Sequence, residues 1–488
     1  VADRGGELGA TRAGVTGEAP SDVLWHYNLS ARHLDKLCER VDTFSVSGDG
    51  ERLVVRHRDD TIVVPSSHKV DDDDPAYIRV DLTRLRRTVN PRAEWRQMFD
   101  ENGRLMASHY WREDMNGVDW DSVLNRYRPL VDLCHVVDDL HDILWETVAE
   151  LNTSHSYVSA SGAAGDSDMR AGLLGADVSS GNDGAKVVRV IPGESSDPRA
   201  WSPLRAAGVA VTEGDVIVAV DGRKVGADGN LGELLEGSAG RVVELTVRRG
   251  ENERQVAVVP MADEAPLRYH DWVASRRRYV EEHSGGRLGY LHVPDMVSDG
   301  WAELHRQIGE ATRHEGVIAD VRFNHGGHTS QLVVERLARR VVGWDYSRWY
   351  ATADTYPQNA VRGPIVMVTN QWAGSDGDIV AAATQAMGYA KVIGERSWGG
   401  VVGIDGRFDL VDGTSVTQPR YAGWYGSYGW GVENHGVDPD IVVTVSPEDW
   451  EADCDVQLDA AIAECLRQLD DKPAATAPEL PGPAFDRC

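Results

Sequence analysis

The chain has 488 residues and a formal net charge of −28 at pH 7, from 50 Lys and Arg against 78 Asp and Glu. At roughly 150 residues per domain the length predicts about three or four domains, and 41% hydrophobic residues exclude disorder of the whole chain. The negative field repels phosphate and anionic lipid, so nucleic acid and membrane surfaces are not expected partners. It attracts basic peptides, although an acidic balance by itself more often reflects solubility.

Targeting signals are weak in this sequence. No apolar run approaches the ~20 residues of a membrane span, and the charged opening segment lacks the apolar core of a secretory signal. The five cysteines are odd in number and widely spread, which predicts reduced thiols rather than a disulfide framework. We expect a cytoplasmic protein, and the initial Val indicates a fragment or a processed chain.

Residues 41–64 alternate in short apolar stretches separated by Gly and Asp turns, a pattern typical of a β-meander. So few strands bury too little to stand alone, and they resemble the last blade of a β-propeller. We therefore assign residues 1–66 to a propeller remnant. The Asp71 to Asp74 run before Pro75 predicts a solvated boundary rather than a calcium site.

The next segment, 67–165, is predicted to be a small helical domain. Between Leu82 and Leu151 apolar residues recur at three- and four-residue spacing, at Leu130, Leu133, Val137, Leu140, Leu144 and Val148. Residues 166–262 then carry three pieces that in this order resemble a PDZ domain: 172–175 (GLLG), 202–209 (SPLRAAGV) and 213–222 (EGDVIVAVDG). In that fold the Gly-flanked loop can capture a peptide C-terminus through its N–H groups; an equally open alternative is a hinge or spacer.

From 263 to 470 short β segments alternate with helices, which predicts βαβ crossovers in an α/β domain. The expected strands are 288–293, 316–321 and 364–369, with helices near 301–313 and from Thr329 and Asp376. Residues 471–488 are Pro-rich without periodicity and are predicted to be a disordered tail. The fold class is thus multidomain α+β.

The motif most suggestive of chemistry is 370–378 (NQWAGSDGD), placed between a buried strand and an Ala-rich helix. Ser375 at such a helix start can attack a carbonyl, and the free N–H groups there can stabilise an oxyanion. Ser and Asp are also the preferred helix caps, so in isolation a structural cap is the better interpretation.

A second Gly-rich turn, 320–327 (DVRFNHGG), follows the preceding strand and so opens at the same edge of the sheet. It can supply another oxyanion donor; alternatively it is a βα turn that needs glycine, with Asp320 and Arg322 as a structural ion pair. A serine nucleophile also needs a base. Among 16 histidines, His155 lies where the helical segment ends, although spacing alone does not single it out.

Together, these motifs resemble the C-terminal half of a tricorn protease. The resemblance rests on five motifs in order, over about 41–469: 152–155 (NTSH), the PDZ-like segment, the 320–327 turn, 374–378 (GSDGD) and 431–440 (GVENHGVDPD). It implies an α/β catalytic domain of the processing-peptidase, crotonase-like type. It also implies Ser375 as nucleophile and His155 as general base, oriented by Ser154 and Glu433.

The resemblance further implies an oxyanion hole from the N–H of Asp376 and one from Gly326 or Gly327. Related processing peptidases have a Lys base in a Ser-aromatic-Gly-Lys context, whereas this sequence has Gly400 there. In the family an acidic residue lent by a neighbouring subunit favours basic substrates; Asp345 lies in roughly the corresponding region, and a solvated loop residue is the favoured interpretation.

We therefore predict a serine peptidase, a homohexamer that cuts peptides produced by a larger protease such as the proteasome, with no metal or organic cofactor. His325 and His328 flank the glycine pair, but a zinc site lacks a third ligand. A non-catalytic PDZ-containing peptide-binding scaffold is the rival hypothesis. A Ser/Lys processing peptidase of an envelope compartment is the third, and the missing Lys opposes it.

Overall fold

The computed structural model describes residues 2–3, 22–58, 60–86, 88–160, 169–226 and 230–480. The chain forms two compact units, residues 1–91 and 92–488. The last eight residues of the predicted tail and all of 161–168 lie outside the described ranges. The part of the tail that is described, 472–480, has no regular secondary structure.

The first unit consists of two small antiparallel sheets. One contains β1 (Ala2–Asp3), β2 (Asp22–Asn28) and β3 (His33–Val41), and the other is a meander of β4 (Thr43–Val46), β5 (Arg52–His57), β6 (Asp60–Pro65) and β7 (Ile78–Val80). In β5 the buried residues Leu53 and Val55 alternate with exposed ones, the period of a strand with one covered face. The predicted meander is present, but it continues past the expected boundary at 66, because β7 pairs with β6 beyond the Asp-rich turn.

Three helices open the second unit: α1 (Pro91–His109), α2 (Trp120–Val131) and α3 (Val137–Ala149). Leu140, Leu144 and Val148 of α3 are fully buried, as their spacing predicts. The predicted periodicity was wrong at Leu130 and Leu133, which are exposed because α2 ends at Val131 and a turn separates it from α3.

A six-stranded antiparallel sheet follows, in the order β14-β13-β11-β10-β9 with β12 paired to β11. Its elements are β9 (Ala176–Gly181), β10 (Gly184–Val190), β11 (Val216–Val220), β12 (Arg223–Lys224), α4 (Leu231–Leu234), β13 (Val243–Arg249) and β14 (Asn252–Val258). Its core contains Leu174 and Leu204, which come from the first two PDZ-like motifs.

The last region is built on a parallel sheet with strand order β15-β16-β19-β20-β24. The strands are β15 (Leu288–His292), β16 (Gly316–Asp320), β19 (Ile365–Thr369), β20 (Ala390–Gly394) and β24 (Ile441–Val442). Every residue of β15, β16 and β19 is buried, as expected for a parallel sheet covered on both faces. The predicted strands agree with these to within a residue or so at each end.

Helices cover both faces of this sheet, and two separate hydrophobic clusters lie under them. They are α5 (Ala265–His283), α6 (Ser298–Ala311), α7 (Ser330–Leu337), α8 (Asp376–Met387), α9 (Pro447–Glu451) and α10 (Val456–Asp471). Short strand pairs complete the region: β17 (Gly343–Asp345) with β18 (Asp354–Tyr356), β21 (Gly403–Asp405) with β23 (Gln418–Tyr421), and β22 (Ser415–Val416) with β8 (Val158–Ser159).

The β8–β22 pair joins the segment after α3 to the sheet region, with Val158 opposite Val416. His141 of α3 also lies 3.2 Å from the hydroxyl of Thr414. The helices therefore pack against the segment around β22, and residues 155–157 contact that segment through Thr417. None of the helices in the described ranges has the length and apolarity that crossing a membrane requires.

Candidate active site

The turn between β19 and α8 has the geometry of an exposed nucleophile. Ser375 precedes the first residue of α8 and has φ +56° and ψ −120°, a strained conformation for a residue with a side chain. Such a strand-to-helix turn projects a serine hydroxyl from the end of the sheet. The hydroxyl does not cap the helix, so the structural-cap interpretation of Ser375 was wrong.

The glycine pair packs directly on this serine. A Cβ built on Gly326 would lie 2.5 Å from the Cβ of Ser375 and 3.1 Å from its Oγ, so position 326 tolerates no side chain. The N–H of Gly326 donates to Oδ1 of Asn324 at 2.9 Å. The N–H groups of Gly327 and Asp376 have no such acceptor among the described residues, and both belong to the segments that flank Ser375.

His155 belongs to a continuous hydrogen-bonded chain. Its Nδ1 lies 3.0 Å from the hydroxyl of Ser154, and that hydroxyl donates to Oε2 of Glu433 at 3.0 Å. Oε1 of Glu433 accepts from the backbone N–H of Ser154 at 2.7 Å. The imidazole is thus held through Nδ1, and no hydrogen bond joins it to Ser375 within the described part of the chain.

Glu433 is itself fixed by the backbone that follows β20. The N–H groups of Val401 and Val402 donate to its Oε2 at 2.8 and 3.0 Å. Four donors, two from Ser154 and two from this backbone, therefore converge on one carboxylate. The four hydrogen bonds fix the position and orientation of this side chain.

Burial and charge tune the candidate base in opposite directions. Burial lowers the pKa of His155 below its ordinary value, and the carboxylate of Glu433 partly offsets this. A lowered pKa keeps the imidazole neutral at pH 7 and able to accept a proton. The carboxylate favours the imidazolium that forms when it does so.

Comparison with known proteins was decisive for the family. Profiles of three domain families match successive parts of the chain: the tricorn protease C1 domain over 91–149, the tricorn protease PDZ domain over 172–263 and peptidase family S41 over 287–443. The tricorn protease homolog 1 of Streptomyces coelicolor is 56% identical over 98% of this chain and 45% of its own length.

The crystal structure of the tricorn protease covers 93% of this chain and 45% of that chain with a TM-score of 0.86, at 34% sequence identity. The chain belongs to the tricorn protease family. The tricorn protease of Thermoplasma acidophilum is 35% identical over 93% of this chain and 42% of its own length. The chain therefore spans a little under half the length of these curated relatives, and the family and the fold class predicted from the five motifs are confirmed.

In this tricorn-family chain the structural ion pair predicted within the 320–327 turn is present. Arg322 forms ion pairs of 2.7 Å with both Asp320 and Asp455; Asp320 and Arg322 are buried, and the side chain of Asp455 is 9% exposed. The hydroxyl of Tyr290 donates to Asp320 as well. This network anchors the start of the glycine turn to the N-terminus of α10, so the turn is both structural and adjacent to Ser375.

Two residues of the site gave no signal in the sequence. The carboxylate of Asp378, fully buried in α8, accepts from the hydroxyl of Ser397 and from the N–H groups of Gly399 and Gly400. Burial raises the pKa of Asp378 to about 6. Trp398, in the same loop, lines a cavity of about 460 Å³ together with His155, Tyr157 and Trp145; only their long-range contacts show that they belong to the site.

Asp345 and the two histidines lie apart from this arrangement. Asp345 is exposed at the end of β17, and its hairpin makes no hydrogen bond to the residues around Ser375 within this chain. His325 and His328 are exposed on the glycine turn. No group of three or more potential ligands in the described residues has an arrangement that would hold a metal ion.

The PDZ-like loop is not arranged for capture of a peptide C-terminus. The N–H groups of Gly172 and Leu173 donate to backbone carbonyls at 2.8 Å, and that of Gly175 donates to the carboxylate of Glu264 at 3.2 Å. A second carboxylate would meet occupied donors and a like charge there. The occupied N–H groups of Gly172, Leu173 and Gly175 therefore favour the alternative that this domain is a hinge or spacer.

Proposed function

We propose that this chain is a serine peptidase that cleaves peptides through an acyl-enzyme on Ser375. The observations that support it most strongly are the hydrogen-bonded chain from Glu433 through Ser154 to Nδ1 of His155 and the strained backbone of Ser375 at the start of α8. A scaffold protein has no need for this combination.

In the acylation step the hydroxyl oxygen of Ser375 attacks the peptide carbonyl carbon while His155 accepts the hydroxyl proton. The negative charge that develops on the carbonyl oxygen is stabilised by the N–H groups of Gly327 and Asp376, while the N–H of Gly326 is already bonded to Asn324. His155 then returns the proton to the departing amine. Water, deprotonated by His155, hydrolyses the ester and frees Ser375.

The substrates we propose are peptides, including products of a larger protease such as the proteasome, handled in the cytoplasm by a homohexamer. The net charge of −28 favours basic peptides by long-range attraction. Within such an assembly Asp345, exposed on its hairpin, would reach the site of a neighbouring subunit and pair with a basic side chain before the cleaved bond. Light scattering on the purified chain measures the subunit number directly.

Labelling by peptide chloromethyl ketones tests the site. Such reagents need both the serine and the histidine, so the native chain gains one adduct in intact mass, and Ser375→Ala and His155→Ala both lose it. His314→Ala, which changes an exposed histidine bonded only to a backbone carbonyl, keeps the adduct and serves as the control. If the native chain binds peptide but is never labelled or cleaved, the scaffold hypothesis replaces the peptidase.

A further inference from the structure

The indole of Trp398 fills a space that two glycines leave open. A Cβ built on Gly374, the residue before Ser375, would lie 2.8 Å from Cε3 of the indole. A Cβ on Gly400 would lie 2.6 Å from the same atom and 2.9 Å from Cη2. Real side chains essentially never approach so closely, so the ring excludes any side chain at either position.

The indole also packs against the imidazole of the candidate base. The rings of Trp398 and His155 pack edge to face, with centroids 5.6 Å apart and an interplanar angle of 83°. Tyr157 contacts the imidazole in the same way at 5.8 Å. Among the described residues the imidazole of His155 has a hydrogen bond at Nδ1 alone, so these two rings restrict its rotation about that bond.

Trp398 is fixed to the part of the protein that carries the nucleophile. Its backbone N–H donates to the carbonyl of Ala373 at 3.0 Å. The residues on either side of it, Ser397 and Gly399, both donate hydrogen bonds to the buried carboxylate of Asp378. Ala373 and Asp378 lie two residues before and three residues after Ser375. The indole therefore keeps its place relative to Ser375, whereas His155 comes from the segment after α3.

We propose that Trp398 is a positioning residue of the peptidase, which sets the imidazole of His155 at the correct place relative to Ser375. Asp378 anchors the loop that carries it. The inference rests on the proposed roles of Ser375 and His155 and adds a specific function for the indole. It also gives a physical reason for glycine at 400: the space into which a side chain at that position would extend is occupied by the ring.

Four variants of the full chain test this: Trp398→Ala, Trp398→Phe, Gly400→Ala and the double variant Trp398→Ala/Gly400→Ala. We measure kcat and KM across pH for a fluorogenic peptide with a basic terminal residue. Trp398→Ala lowers kcat/KM about 10- to 100-fold, mainly through kcat, because a displaced catalytic group costs on that order. Trp398→Phe keeps an aromatic edge and recovers most of the loss.

Gly400→Ala alone lowers kcat/KM, because its methyl group displaces the indole. In the Trp398→Ala background the same change has no further effect, and this coupling is a readout that general destabilisation does not produce. The acidic limb of the Trp398→Ala profile also moves to higher pH, since water reaches His155 and its burial decreases. Trp450→Ala, which removes an exposed tryptophan of α9, is the matched control with unchanged kinetics.

Two results would overturn the proposal. One is that the effects of Trp398→Ala and Gly400→Ala on kcat/KM are additive in the double variant. The other is that Trp398→Ala keeps kcat/KM within about twofold of the native value and leaves the pH profile unchanged. Circular dichroism and thermal unfolding show whether each variant is folded, and Trp398→Phe remains decisive if the alanine variant is not. Ser375→Ala separates the two levels of the argument. If it retains activity the proposed function is wrong, whereas its inactivity together with a silent Trp398→Ala contradicts only the inference.

Discussion

Replacing Glu433 by Gln removes one charge and one acceptor while keeping the size of the side chain. In the native site Oε1 accepts from the N–H of Ser154, and Oε2 accepts from its hydroxyl and from the N–H groups of Val401 and Val402. Either orientation of the amide therefore points an NH₂ group at backbone donors. An unsatisfied donor of this kind costs about 1–3 kcal/mol, so we expect the thermal midpoint to fall.

Glu433→Gln is expected to lower kcat/KM and to move the acidic limb of its pH profile to lower pH. The carboxylate stabilises the imidazolium that forms in the transition state, and losing this general-base support lowers kcat/KM by about 10²-fold, equivalent to about 2.7 kcal/mol. The same carboxylate raises the pKa of His155 against the effect of burial. Without it the pKa falls further, and the acidic limb of the kcat/KM profile moves to lower pH.

Initial rates with a fluorogenic peptide between pH 5 and pH 9, at several substrate concentrations, measure both effects. Glu335→Gln, on the exposed face of α7, is the control for loss of a surface carboxylate. The assignment of Glu433 as the support of the base would be refuted by two results together. The acidic limb would stay at the same pH or move to higher pH, and kcat/KM would remain within about threefold of the native value.

Three further perturbations follow from the same geometry. Gly326→Ala introduces a Cβ against Ser375 at a positive φ of +76°, so chloromethyl ketone labelling is lost, whereas Gly426→Ala, which meets no atom within 4 Å, is silent. Arg322→Ala leaves the buried carboxylate of Asp320 without its cation, while Asp455 keeps Arg276 at 3.2 Å, and lowers the free energy of unfolding by about 3–5 kcal/mol, measured by urea denaturation; a loss below about 1 kcal/mol would contradict it. Asp378, whose pKa rises to about 6 on folding, binds its proton more tightly in the folded state. The native chain therefore loses up to about 3 kcal/mol relative to Asp378→Asn as pH rises from 4 to 6, and parallel stability curves would contradict this.

Much of the parallel sheet could be predicted because its strands are continuous apolar runs and its helices are periodic. The turn at Ser375 was located to the residue, since a buried strand ends at Thr369 and α8 begins at Asp376. The helix α5 was missed: its buried positions Leu267, Val273 and Val280 are six and seven residues apart, and arginines occupy much of the face between them.

The proposed catalytic roles could be predicted only because the order of the motifs resembles that in a known family. Ser154 and Glu433 are 279 residues apart in the chain, and no local pattern joins residues at that separation. The same holds for Trp398. Its proposed role depends on the space that Gly374 and Gly400 leave for the indole, and the local sequence does not show this packing. The exposure of Leu130 and Leu133 was not predicted either, because residue spacing alone does not show where one helix ends and the next begins.

The division of the site among distant segments has a consequence for how the chain is made. His155 is synthesised before the other two, Ser375 more than two hundred residues later, and Glu433 later still. The side-chain amide of Asn434 then closes the arrangement by donating to the carbonyl of Asn152 at 2.7 Å. During translation the nascent polypeptide therefore holds a base without a partner and then a nucleophile without an oriented base. Under the proposed function, the site is therefore complete only after the last of these segments has left the ribosome, so the order of the segments in the chain delays activity until synthesis has passed Asn434.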